Sequence, residues 1–168
     1  MFDLKVINSI KDILLTREET IAVAESVTAG MLQLAFSQAD DAIHFFQGGI
    51  TAYNIGQKSR HLNIDPIEGD RHNCVSERTV SEMATNVCRL FSSHWGIGIS
   101  GYASPVPESR ERIYAWYAIA HNGIIKSVNK VVPKKDSPLN VQLAICKDVL
   151  TQFHELFTEQ MAGKESKE

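Results

Sequence analysis

The chain has 168 residues, 43% of them hydrophobic, with 17 basic and 20 acidic residues giving a formal charge of -3. This length fits one domain with a sizeable core, and the acidic balance argues against nucleic-acid binding, which needs a concentrated basic surface. No stretch approaches the roughly 20 apolar residues of a membrane span, no signal-peptide pattern opens the chain, and three widely spaced cysteines indicate reduced thiols, so we expect a cytoplasmic protein.

Hydrophobic periodicity predicts helices and strands that alternate along the chain. In order, the predicted elements are a helix over 4–16, a buried strand from 20, a helix over 31–38, a strand over 48–53 and a helix from 57. A loop is predicted around Asp65-Pro66 and Gly69-Asp70 because both pairs are typical of breaks. Ser76 is predicted to cap a long helix that reaches Phe91, with Glu77 in its first turn.

The second half of the chain predicts an antiparallel hairpin beside parallel strands. After a strand over 95–100 and a loop over 100–112, the Asn122-Gly123 turn should pair the strands 113–120 and 124–132. A last helix starts at Pro138. The order implies an α/β fold in which helices cover both faces of a mixed, mainly parallel sheet of about five strands.

The boundaries of the domain follow from the same pattern. We expect a single domain over residues 1–161, followed by a polar tail over 162–168 that should fray because its residues are small or charged. No internal repeat or low-complexity segment divides the chain.

The turn after the first strand is rich in small hydroxyl residues, and it is the first candidate site. A strand–turn–helix junction leaves backbone N–H groups unpaired at the start of the helix, which favours an anion or a developing oxyanion. Ser26 is the candidate nucleophile there, and Thr28 is a candidate N-cap or phosphate ligand. A capped helix without any chemistry would explain the same residues.

Four motifs, in the same order, resemble the CinA C-terminal domain family, the nicotinamide-nucleotide amidohydrolases. Residues 24–30 (AESVTAG) resemble its A-E-S-C-T-G-G signature, and residues 45–53 (FFQGGITAY) resemble its F-x-x-G-x-V-T-Y strand. Residues 72–77 (HNCVSE) resemble H-G-A-V-S-E, and residues 99–105 (ISGYASP) resemble S-G-I-A-G-P. Lys58 falls where the lysine of the family follows its second motif.

The resemblance implies a three-layer α/β/α domain, commonly a homodimer, that hydrolyses nicotinamide mononucleotide to nicotinate mononucleotide and ammonia. It places the nucleophile at Ser26 and assisting groups at Tyr53 and Lys58. A lysine acts as a base only when its pKa falls far below its ordinary value, which burial or a nearby cation such as Arg60 can cause. Without the resemblance, the residues alone favour a strand-end aromatic at Tyr53 and a solvated helix residue at Lys58 over a role in catalysis.

The resemblance also implies groups that hold the phosphate of this substrate. The candidates are Thr28, Gly30, Ser100, Gly101, Arg110 and Arg112. No metal-ligand spacing such as H-E-x-x-H occurs, so we expect a reaction without metal or cofactor.

The chain departs from the family at three places. Ala29 replaces the first glycine of a pair, residues 104–113 replace a glycine-rich segment, and residues 140–142 replace arginines near the last helix. Residues 104–113 contain no glycine and cannot offer the same backbone amides to a phosphate. Arg110 and Arg112 are therefore predicted to contact the phosphate instead.

Three functional hypotheses remain open at this point. The chain is an amidohydrolase on nicotinamide mononucleotide, a catalytically silent family member that binds a nucleotide-like ligand or a protein partner, or a hydrolase of a different small amide or ester. Ser26, Tyr53 and Lys58 favour activity, whereas the lost glycines and arginines count against this substrate. Neither a nucleic acid nor a membrane is an expected partner.

Overall fold

The computed structural model describes residues 2–165. The helices in this range are α1 (Leu4–Thr16), α2 (Met31–Ser37), α3 (Ile55–Leu62), α4 (Pro66–Arg71), α5 (Glu77–Phe91) and α6 (Pro138–Glu165). The strands are β1 (Ile21–Glu25), β2 (Phe46–Thr51), β3 (Trp95–Tyr102), β4 (Tyr114–His121) and β5 (Ile124–Val131). Short 3₁₀ turns over Ala42–His44 and Pro107–Ser109 precede β2 and β4.

The five strands form one mixed sheet in the order β2-β1-β3-β4-β5. β1 runs parallel to both of its neighbours, while β4 runs antiparallel to β3 and to β5. The Asn122-Gly123 turn joins β4 to β5 as predicted, with both residues at positive φ. The predicted α/β class and the antiparallel hairpin are therefore confirmed.

Helices cover both faces of the sheet, so the domain has three layers. On one face, the bulky side chains of β1, β3 and β4 pack against α1, α2 and α6. On the other face, α5 lies over small residues such as Ala22, Ala118 and Ala120. Gly96 and Gly98 of β3 allow this close approach, because an added Cβ would overlap backbone atoms of α5.

Two predicted elements differ from the structure. The segment predicted as a loop contains α4, because Asp65 caps it by accepting the Ile67 N–H at 2.9 Å and Pro66 occupies its first position. β2 begins and ends two residues before the predicted strand. α6 runs to Glu165, and residues 166–168 of the predicted tail lie outside the described range.

The cysteines match the expectation of reduced thiols, since Cys74, Cys88 and Cys146 are buried and unpaired. No helix within the described range is both long and apolar enough to cross a membrane.

Candidate functional site

The candidate residues meet at the edge of the sheet where the parallel strands β1, β2 and β3 end. Ser26 directly follows β1, and its backbone N–H donates to the carbonyl of Ile99 in β3 at 3.1 Å. Ser100 is the next residue of that strand. From β1 the chain goes to β2 on one side and later to β3 on the other, so this edge is a topological switch point, where α/β sheets bind their ligands.

α3 brings Lys58 to the same edge. Asn54 caps this helix by accepting the Gln57 N–H at 3.0 Å, and the backbone N–H of Lys58 donates to the Asn54 carbonyl. Tyr53 lies between the end of β2 and this cap, and its side chain is exposed. A helix that starts directly after β2 therefore turns Lys58 back over the ends of the strands.

These residues share one cavity of about 550 Å³. The sequence-predicted residues in its wall are Ser26, Tyr53, Lys58, Ser100 and Gly101. We call it the serine cavity. The structure thus brings the three predicted reactive groups and two of the predicted binding residues to one concave site.

Lys58 is nearly inaccessible within this wall, with 3% of its surface exposed. Its Nζ donates to Ser100 Oγ at 3.3 Å, and it forms no salt bridge among residues 2–165. Burial lowers the pKa of Lys58, a shift that the nearby Cys74 only opposes. Burial rather than the Arg60 cation is thus what favours the neutral amine.

Cys74 lines the serine cavity close to Lys58, and its thiol is also buried. Burial raises the pKa of this thiol, although the Lys58 charge opposes the rise. Cys74 therefore stays in the thiol form near neutral pH and does not supply a permanent counter-charge to the lysine.

Glu25 occupies backbone N–H groups at the start of α2. This buried carboxylate accepts the backbone N–H groups of Gly30 at 3.1 Å, Leu32 at 3.0 Å and Gln33 at 2.9 Å. The prediction that N–H groups at this helix start are open to an anion is therefore wrong for these three groups. The glutamate within the first motif braces the turn instead.

Thr28 and Gly30 do not reach the serine cavity. The N-cap of α2 is Gly30, at φ +98°, and not Thr28. The Thr28 side chain is fully buried, and its hydroxyl has no hydrogen-bond partner among the described residues. The structure therefore does not bring these two predicted binding residues into the wall of the serine cavity.

Arg110 and Arg112 line a second cavity of about 400 Å³, which we call the arginine cavity. Both side chains belong to exposed residues of the loop between β3 and β4. The two cavities share the wall residues Asp70, Asn73, Val75, Tyr102 and Glu108. The predicted phosphate ligands are thus beside the serine cavity and not within it.

Sequence reasoning missed two contacts that shape the site. Gln142 of α6 donates from Nε2 to the carbonyl of Val27 at 2.7 Å, which ties the last helix to the Ser26 turn. Asn73 donates from Nδ2 to the Tyr102 hydroxyl at 3.1 Å on the shared wall. Both contacts join residues far apart in the chain, so no local pattern could have indicated them. Within residues 2–165, no cluster of His, Cys, Asp and Glu could hold a metal ion.

The protein is an α/β domain whose candidate site, at the carboxyl edge of its parallel strands, contains a serine and a buried lysine. The model of the CinA C-terminal domain family matches residues 3–157, and the chain belongs to that family.

Two curated relatives are longer proteins. A CinA-like protein of Picosynechococcus is 32% identical over 141 residues, which cover 82% of this chain and 34% of the relative. A CinA-like protein of Prochlorococcus marinus is 43% identical over 90 residues, which cover 53% of this chain and 21% of the relative. The chain therefore matches about a third or less of the length of these relatives.

Solved structures share the fold over nearly their whole length. The competence damage-inducible protein A of Klebsiella pneumoniae aligns with a TM-score of 0.88 at 22% identity, covering 94% of this chain and 98% of that one. The competence/damage inducible protein CihA of Agrobacterium tumefaciens aligns with a TM-score of 0.83 at 17% identity, covering 93% and 98%. At these identities the likeness shows the fold alone.

Proposed function

We propose that this chain deamidates nicotinamide mononucleotide to nicotinate mononucleotide and ammonia by a serine mechanism that needs no metal or cofactor. The observation that carries the proposal is that Ser26 and the buried Lys58 both line the serine cavity. The resemblance of four motifs to the nicotinamide-nucleotide amidohydrolases supports nicotinamide mononucleotide as the substrate.

The reaction divides into two acyl-transfer steps. Ser26 Oγ attacks the carboxamide carbon while the neutral Lys58 amine takes the hydroxyl proton. The tetrahedral intermediate then breaks its C–N bond, and the Lys58 ammonium returns the proton to the departing ammonia. Water, activated by the same amine, hydrolyses the Ser26 ester and releases the acid.

Two neighbours fit supporting roles in this mechanism. Ser100 accepts a hydrogen bond from Lys58 Nζ and so positions the amine. Because Glu25 occupies three N–H groups of α2, the oxyanion needs another donor. The Tyr53 hydroxyl is proposed for that role, because its exposed ring lines the serine cavity.

The experiment that tests this proposal measures both products. Purified protein with nicotinamide mononucleotide should release ammonia and nicotinate mononucleotide in equal amounts, and Ser26→Ala should lower the rate by at least about a hundredfold. Ser104→Ala is the matched control, because Ser104 lines the same cavity outside the proposed machinery. A wild-type protein without product, or a Ser26→Ala protein with the wild-type rate, would reject the proposal.

A catalytically silent member that binds a nucleotide-like ligand or a protein partner is the second candidate. The capped start of α2 and the position of both arginines outside the serine cavity favour it. Binding of nicotinamide mononucleotide without ammonia release would support this candidate. Release of ammonia or alcohol from a different small amide or ester would instead support a different hydrolase.

The proposal extends to a cytoplasmic homodimer, as the family resemblance implies. The buried free thiols suit a reducing compartment. Size-exclusion chromatography with light scattering should give twice the mass of the chain, and the mass of a monomer would contradict the dimer.

A further inference from the structure

The turn between β1 and α2, which presents Ser26, contains a strained residue. Ala29 adopts a left-handed conformation at φ +51°, which is unfavourable for a residue with a Cβ. The buried Thr28 hydroxyl has no partner among the described residues, so it adds no hydrogen bond to the turn. Because a strained backbone persists only where surrounding contacts fix it, the turn depends on the elements around it.

One carbonyl of this turn is satisfied from a distant part of the chain. The Ser26 carbonyl accepts the Ala29 N–H at 3.1 Å, and the Thr28 carbonyl accepts the N–H of the first residue of α2 at 3.0 Å. The Val27 carbonyl between them accepts Gln142 Nε2 at 2.7 Å, and it has no other donor within residues 2–165. A side chain of α6, 115 positions later, therefore completes the hydrogen bonding of the turn.

The start of α6 is anchored beside the turn. Pro138, the first residue of this helix, and Gln142 line the serine cavity together with Ser26 and Val27. Val141, next to Gln142, is fully buried in the same hydrophobic cluster as Val27. The Gln142 amide thus reaches the turn from a helix that the core holds in place.

A hydrogen bond to the Val27 carbonyl restricts the backbone that carries the nucleophile. The carbonyl belongs to a planar peptide unit, so a bond to its oxygen orients the whole unit. Ser26 directly precedes this residue, and its own N–H donates to the Ile99 carbonyl at 3.1 Å. The backbone is therefore fixed on both sides of Ser26, which limits where Oγ can lie.

We propose that Gln142 is a positioning residue, which fixes the turn so that Ser26 Oγ meets the substrate carbonyl in a productive geometry. The effect on catalysis rests on the proposed function, whereas the effect on the turn does not. A reacting group displaced by about 1 Å can lose about a hundredfold in rate. Because Gln142 acts through Val27 and carries no proton for the reaction, its loss should change kcat but neither KM nor the pH limb that Lys58 sets.

The experiment uses three changes at this position and one control. Gln142→Met and Gln142→Glu keep the length of the side chain and remove its donor. Gln142→Arg keeps a donor, because the Nε of arginine is as many bonds from Cα as the Nε2 of glutamine. Gln152→Met is the matched control, since Gln152 lies on the same helix and its amide donates to the exposed Glu155. Thermal unfolding checks that each protein is folded.

Gln142→Met and Gln142→Glu should lower kcat for nicotinamide mononucleotide at least about tenfold and change KM by less than about twofold. Gln142→Arg should keep kcat within about threefold of the wild type. Hydrogen exchange followed by mass spectrometry should become faster in a peptide covering residues 24–30 of the Met and Glu proteins, and stay unchanged elsewhere in the domain.

The proposal is overturned if Gln142→Met matches Gln152→Met in both kcat and exchange, or if Gln142→Arg is as slow as Gln142→Met. Faster exchange throughout α6 would also overturn it, because the bond would then support the fold as a whole. Deamidation that is unaffected by Gln142→Met would reject the positioning role and keep the proposed function. A wild type that releases no ammonia, together with faster exchange of the turn in Gln142→Met alone and not in Gln142→Arg, would reject deamidation and support the role of Gln142 in fixing the turn.

Discussion

Lys58 shows how a single residue links stability to the proposed chemistry. Its amine is buried, has one hydrogen-bond partner in Ser100 and lacks an acidic neighbour in a salt bridge among the described residues. Burial removes water from the ammonium form and lowers the pKa of the group. The neutral amine that a general base requires is therefore more populated than in an exposed lysine.

This burial also costs folding free energy, which Lys58→Met should recover. The pKa of Lys58 is lower in the folded than in the unfolded chain, so stability rises as pH increases from the folded value to the unfolded one. Below that window the folded protein holds a buried ammonium. Lys58→Met should raise the free energy of unfolding at pH 7 by about 0.5–2 kcal/mol, flatten the rise at high pH, and lower deamidation about 10²- to 10⁴-fold.

Urea unfolding at several pH values checks this prediction. Lys147→Met, at an exposed position of α6, is the control and should change stability by less than about 0.5 kcal/mol. A Lys58→Met protein that is less stable than the wild type at pH 7 would contradict the claim that burial of the Lys58 amine destabilises the fold.

At the scale of elements, the contact between β1 and α2 depends on one carboxylate. Glu25 is the last residue of β1, and it satisfies three of the N–H groups that would otherwise be unpaired at the start of α2. The seven-residue helix α2 is short, so this cap supplies much of what fixes the turn that presents Ser26.

Glu25→Gln should therefore destabilise the domain by at least about 1.5 kcal/mol, the lower range for a hydrogen bond to a charged group. The amide has one acceptor oxygen, and its NH₂ group would face backbone donors. Chemical denaturation gives the difference, and Glu82→Gln serves as the control because Glu82 pairs with the exposed Arg78 on α5. Equal destabilisation by both changes would show that Glu25 is not the cap.

At the scale of the whole molecule, Glu19 joins the sheet at the edge opposite the serine cavity. Its carboxylate accepts Trp95 Nε1 at 2.7 Å and His121 Nε2 at 2.8 Å, and so ties the entry of β1 to β3 and β4. Burial raises the pKa of Glu19, but the hydrogen bonds from Trp95 and His121 together with nearby positive charge outweigh it, and the net pKa is lowered.

A lowered pKa predicts loss of stability in acid. The contribution of Glu19 is fully present above its ordinary value of 4.5 and is lost as pH falls through the lower folded value. Glu19→Gln should lower stability at pH 7 by about 1–3 kcal/mol and flatten this acid dependence. Thermal unfolding between pH 3 and 7 tests it, and an unchanged slope in the variant would contradict the linkage.

The parts of the fold with local signals could be predicted from the sequence. Asn122-Gly123 marked the hairpin, and Ser76 marked the start of α5, where its hydroxyl accepts the Thr79 N–H at 3.2 Å. α4 was missed because an Asp–Pro pair is typical both of a turn and of a helix start.

Motifs in the sequence were sufficient to predict that Ser26 and Lys58 belong to one site. Both residues follow consecutive strands, β1 and β2, and the alternation of strands and helices implies that such strands end at the same edge of the sheet. Which three N–H groups Glu25 accepts and the position of Arg110 beside the serine cavity depend on side-chain direction and loop path. Neither property has a signature in local spacing.

The pH dependence of kcat/KM for nicotinamide mononucleotide, compared between the wild type and Lys58→Arg, tests most directly whether Ser26 reacts through a neutral Lys58. The wild-type rate should rise with pH along a limb whose apparent pKa lies below 10.5, the ordinary value of lysine. Arginine keeps its proton, so Lys58→Arg should be at least about a hundredfold slower at every pH while remaining folded. A Lys58→Arg protein with the wild-type rate and pH profile would contradict the proposed mechanism.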